Sequence, residues 1–78
     1  MPKIPIVKAK DFYDYILKYG CCLVNVTGSH HKVMNTVNKL TSVVPIHVGK
    51  DLKKGLFAKI LRDLNIDIDD FLDFMVNN

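Results

Sequence analysis

"NVTGSHHKVMN", residues 25–35, is the stretch that decides how this chain folds. Val24, Val26 and Val33 around it read as strand, and Gly28-Ser29 separates "CCLVNVT" (21–27) from "HHKVMN" (30–35). Side chains on a strand alternate between faces, so His30 and Lys32 share one side and His31 and Val33 the other. Val33 is the natural core residue. His31 is then expected to lean inward, as a structural histidine at the edge of the core. His30 points outward beside a lysine.

The pattern extends in both directions. In "CCLVNVT", Val24 and Val26 alternate with Asn25 and Thr27, the signature of a half-buried strand. After "HHKVMN", the polar loop "TVNK" (36–39) leads into a third strand, "LTSVVPI" (40–46). Pro45 near its end suits an edge strand, because proline donates no ladder hydrogen bond. Upstream, "KAKDFYDYILKYG" (8–20) places Phe12, Ile16 and Tyr19 at spacings of three and four, an amphipathic helix that Gly20 can close. Residues 1–7, with Pro2 and Pro5, read as an extended arm. Downstream, "KKGLFAKILRDLNI" (53–66) puts Leu56, Ile60 and Leu64 on one helical stripe beside Phe57 and Leu61. Asp67 is placed to cap a last helix with Ile68, Phe71, Leu72 and Met75 as its apolar face. The expected fold class is α+β: helix, three-strand meander, helix, short C-terminal helix. It forms two layers, with helices on one face of an antiparallel sheet and the other face open.

Composition narrows the function classes. Seventy-eight residues, nearly half of them apolar, make one small domain with a modest core. No run approaches the roughly 20 apolar residues of a spanning helix. "MPKIPIVKAK" lacks the apolar centre of a signal peptide, so a cytoplasmic protein is expected. Cys21 and Cys22 are neighbours, which disfavours a disulfide between them, and at most one of them belongs to a core. Residues 1–62 carry all eleven Lys/Arg against three aspartates, a net +8. Residues 63–78 carry five aspartates (Asp63, Asp67, Asp69, Asp70, Asp73) and no base, a net −5. A basic body with an acidic tail points to a polyanionic partner.

The chemistry-bearing residues gather at one end of the meander. A hairpin through "TVNK" brings the start of the second strand beside the end of the third. His47 is then expected near His30, with Lys50, Lys53 and Lys54 at the same end and Lys59 and Arg62 on the next helix. Gly28 and Ser29 can offer backbone N–H groups to an anion. An imidazole among lysines and free amides suits phosphodiester chemistry: general acid–base catalysis by one histidine contributes on the order of 10²–10⁴ in rate. No metal is expected. His30 and His31 diverge, and His47, Cys21 and Cys22 lack CxxC or HxxxH spacing. A Ser29–histidine nucleophile pair is disfavoured because neighbours on a strand point apart.

"GSHHKV" after a strand, then "VVPIH", then "KDLKKGLFAKILRDLNI" resemble the HicA family of toxins, the mRNA interferases of toxin–antitoxin pairs. The resemblance covers about residues 8–66, with 67–78 as an acidic helical extension. It implies a double-stranded-RNA-binding-domain-like α-β-β-β-α fold and mRNA cleavage without a cofactor. It also implies a HicB-type antitoxin that covers the active face. By the family's G-S-H motif, His30 is the catalytic histidine and Gly28 the glycine before it. His47 matches a histidine found after the third strand, and Lys50, Lys53 and Lys54 match a basic segment. Two positions depart from the family: Leu56 follows Gly55 where threonine is common, and Asn25 stands where a basic residue is common.

The resulting expectation is an endoribonuclease with His30 as general acid or base. His47, Gly28 and Ser29 are auxiliaries, and Lys32, Lys50, Lys53, Lys54 and Lys59 hold the RNA. The alternative is a non-catalytic RNA-binding module that uses the same lysines for phosphate contacts. A protein-only interaction domain would show little salt-sensitive RNA affinity.

Overall fold

The computed structural model describes residues 3–77. Met1 and Pro2 of the expected arm, and Asn78 of the acidic extension, lie outside the described residues. The element order is β1 (Val7–Lys8), α1 (Ala9–Tyr19), β2 (Cys21–Thr27), β3 (His30–Asn35), β4 (Thr41–Pro45), β5 (Asp51–Leu52), α2 (Lys54–Asp63) and α3 (Ile68–Asn77). Antiparallel β2, β3 and β4 form a three-stranded sheet in that order, which makes β3 central and β4 an edge. The fold is α+β, as the alternation of periods implies.

Each element ends for a local reason. Gly20 closes α1 at φ +135°, a conformation L side chains rarely adopt, and its N–H donates to the Ile16 carbonyl. Thr27 and His30 pair across a two-residue turn in which Gly28 has φ +58° and Ser29 has a negative φ. A glycine at the first central position fits a type II′ hairpin, whose twist matches the strands it joins. At the end of α2, Asn65 takes φ +54°. Its N–H bonds the Arg62 carbonyl, and Ile66 N–H bonds the Leu61 carbonyl at 2.8 Å. This is the Schellman arrangement, with Leu61 and Ile66 both buried beneath it. Asp67 Oδ1 accepts the N–H of Asp70 at 3.1 Å and so caps α3 as its sequence position implies.

The core lies between the sheet and the helices. Phe12 and Ile16 of α1, Val33 and Val44 of the sheet, and Phe57, Ile60 and Leu61 of α2 are essentially inaccessible to solvent. Phe71 of α3 packs edge-on to Phe12 and Tyr19, with ring centroids 5.5 and 5.4 Å apart. The C-terminal helix therefore completes the core.

The end of the extended N-terminal segment joins a ladder: Val7 pairs with Leu52 and Lys8 with Asp51, a short antiparallel ribbon. One expectation is corrected. β2 is not half-buried by Val24 and Val26. The register shifts between Leu23 and Asn25, leaving Val24 as the extra residue of a β-bulge. Val24 and Val26 are 50% and 46% exposed. Cys21 supplies the buried end of the strand.

Candidate active site

β3 is hydrogen-bonded on both sides, so its side chains are held firmly. His30 faces Thr27 on one neighbour and Pro45 on the other; Lys32 faces Asn25 and Val43. Paired residues share a face, so His30 and Lys32 project together from the side of the sheet away from the helices. Both are exposed. Val33 and His31 occupy the opposite side. The His31 ring lies edge-on to Tyr13, with centroids 5.1 Å apart. Its Nδ1 is 3.1 Å from the Ser29 carbonyl. A carbonyl only accepts, so Nδ1 carries the proton in that contact. His31 is thus a positioned structural histidine, as the alternation implies.

His30 and Lys32 open onto a hollow of about 380 Å³ that wraps the edge strand β4 and is walled by α2. Its size falls within the range of ligand clefts, about 300–1,000 Å³. Thr41, Val43 and Pro45 form the strand side; Leu56, Lys59 and Asp63 form the helix side. Leu56 gives this wall an apolar surface.

The other residues singled out from sequence are distributed differently. His47 does not join His30 in this hollow. The last ladder contact on that side is Ile46 N–H to the Ser29 carbonyl at 2.8 Å. The chain then turns, with Lys50 N–H bonding the His47 carbonyl and Ala9 N–H bonding the Lys50 carbonyl. His47 and Lys50 line a separate hollow with Lys8, Lys10 and Gly49. There Lys8 pairs with Asp51 and Lys10 with Asp14, so part of the cationic charge is already matched. Lys53 and Lys54 are exposed at the start of α2 and line neither hollow. Gly28 and Ser29 build the turn that delivers His30. The Ser29 carbonyl serves His31 and Ile46.

Asp63 and Ser42 are the residues of this hollow that sequence reasoning missed. Asp63 was counted with the acidic tail, yet its Oδ2 accepts from Lys59 Nζ at 2.7 Å and from Ser42 Oγ at 2.9 Å. The Lys59 ammonium and the Ser42 hydroxyl hold the Asp63 carboxyl below the usual carboxylate value. The i,i+4 spacing of Lys59 and Asp63 on a helix is the signal that could have exposed the pair. The aspartates of α3 do not line the His30 hollow. Among the described residues, no three His, Cys, Asp or Glu side chains converge as a metal cluster would require.

A family model described as HicA toxin of bacterial toxin–antitoxin matches residues 9–66, from the start of α1 to the buried Ile66 after α2. The chain belongs to the HicA toxin family. Comparison with curated proteins and with solved structures gives no match. HicA membership makes the chain a toxin of a toxin–antitoxin pair and implies an antitoxin partner. The matched segment takes in the whole three-stranded sheet and both helices that cover it. Among the described residues, no helix of this HicA chain is long and apolar enough to cross a membrane.

Proposed function

We propose that this HicA toxin is an endoribonuclease that cuts mRNA with His30 as general acid or base. The observation that carries the reading is the exposure of His30 on the central strand, beside Lys32 and at the mouth of the β4 hollow. In the base role, the neutral ring removes the proton of a ribose 2′-OH. That oxygen attacks the adjacent phosphorus, and the bond to the 5′-oxygen breaks. The products are a 2′,3′-cyclic phosphate and a 5′-hydroxyl, the latter taking its proton from the imidazolium or from water. Lys32 stabilises the charge that develops on phosphorus. Lys50, Lys53 and Lys54 hold more distant phosphates, and Lys59 reaches one with its remaining N–H donors while keeping its bond to Asp63. A HicB-type antitoxin would silence the toxin by covering the face that presents His30.

The test is cleavage of a labelled RNA by the parent and by His30→Ala in buffer with EDTA. The parent is expected to shorten the RNA and the variant to leave it intact, with similar RNA affinity and melting temperature. Equal cleavage by both would overturn the assignment of His30. Salt-sensitive binding without shortening by either would make the domain a non-catalytic RNA-binding module.

A further inference from the structure

We propose that Asp63 selects the nucleobase in the His30 groove, its carboxylate accepting a hydrogen bond from the exocyclic amino group of a base beside the reacting phosphodiester. This inference rests on the RNA-cleaving reading of the same groove and adds the base class that the groove takes.

The carboxylate is fixed from two sides. Ser42, on β4, is 8% exposed, and its hydroxyl reaches across to α2 to bond Asp63 Oδ2 at 2.9 Å. Lys59, one helical turn before Asp63, bonds the same oxygen at 2.7 Å. Both bonds fall on Oδ2. Among the described residues Oδ1 has no donor, and the side chain is 33% exposed where it lines the hollow. An ionised carboxylate is an acceptor only, with lone pairs on both oxygens. Asp63 therefore lines the groove as a held carboxylate with one oxygen unpaired among the described residues.

That acceptor discriminates between the parts of RNA. It repels phosphate, so the backbone runs along the His30 and Lys32 side. The base then falls between Pro45 of β4 and Leu56 of α2, which offer apolar surface to its faces. Adenine, cytosine and guanine each present an amino N–H donor. Uracil presents its one ring N–H between two carbonyl oxygens, which a carboxylate repels. Aspartate accepting from an amino group is an established mode of base recognition.

The experiment uses four RNA oligonucleotides that differ only at the nucleotide beside a single cleavage position, with rate and Kd measured for each. The parent is expected to favour the amino-bearing bases over uracil by about tenfold. In Asp63→Asn, which retains the shape but loses the charge, that ratio should collapse toward one. Ser42→Ala, which unpins the carboxylate, should reduce it partway. A ratio unchanged in both variants, each shown folded by circular dichroism, would overturn the proposal. If the parent cuts none of the four but binds them, the nuclease reading fails while the Kd ratios still decide the role of Asp63. If it binds none, both fall.

Discussion

Ser42 Oγ stands 2.9 Å from Asp63 Oδ2, a bond between the edge strand and the helix that walls the His30 groove. The Lys59 ammonium and then this hydroxyl lower the Asp63 carboxyl from its ordinary value of 3.8. A carboxyl whose value is lower in the folded chain than in the unfolded one adds stability above the unfolded value. That contribution is lost as pH falls through the folded value. The melting temperature of the parent should therefore exceed that of Asp63→Asn most clearly near neutral pH. The gap should close as pH drops below 3.8. Thermal melts of both proteins across pH 2–7 measure this, and a gap independent of pH would exclude an ionic role for Asp63.

Much of this arrangement is readable from the chain, because alternation is a strong constraint wherever one face must be buried. Val33 fixes the phase of β3, and with it the outward His30 and the inward His31. The phase of β2 was not readable. A bulge at Val24 carries no sequence mark, and it takes Val24 out of step with Val26, which pairs with the inward His31 yet stays exposed. The β1–β5 ribbon is too short to leave a period. Strand pairing places neighbours only as far as the ladder runs, and here it stops after Ile46, so the sequence did not show that His47 lines a different hollow from His30. The role of Asp63 was hidden for a related reason: the charge tally placed it with a tail, whereas α2 packs across β4 and brings it back to Ser42.

Phe71 tests whether α3 is part of the core or an appendage. Its side chain is inaccessible and meets Phe12, Tyr19 and Phe57, the last with centroids 5.9 Å apart. Phe71→Ala should cost about 3–5 kcal/mol, the range for a buried phenylalanine that leaves a cavity. Urea denaturation followed by circular dichroism measures it. A loss under about 1 kcal/mol would mean that the helix is dispensable to the fold.

The adjacent cysteines should differ sharply in reactivity. Cys21 is buried, and loss of hydration pushes its thiol up to about 11. Cys22 is on the opposite face of β2 and partly exposed. The thiolate is the reactive form, so iodoacetamide at pH 8 should modify Cys22 at least roughly tenfold faster than Cys21 in the native protein. The two rates should converge in denaturant. Peptide mass spectrometry over a time course reads both sites, and equal native rates would show that Cys21 is open to solvent.

Asn35 and Asn38 tie the β3–β4 loop to the end of α2 through one shared acceptor. Their side-chain amides both donate to the Leu64 carbonyl, at 2.9 and 3.0 Å. Each also receives a loop N–H on its amide oxygen: Val37 for Asn35 and Leu40 for Asn38. A single substitution by alanine removes one bond to Leu64 and one loop bond but leaves that carbonyl with the other amide, so each should cost about 1–2 kcal/mol. The double substitution leaves a helix-end carbonyl with no side-chain partner, and an unsatisfied acceptor carries its own penalty of about 1–3 kcal/mol. The double variant should therefore lose more stability than the two singles added together, by about 1 kcal/mol. A double-mutant cycle from urea melts measures that excess directly. Strict additivity would mean that the two amides act independently and that water readily replaces them at Leu64.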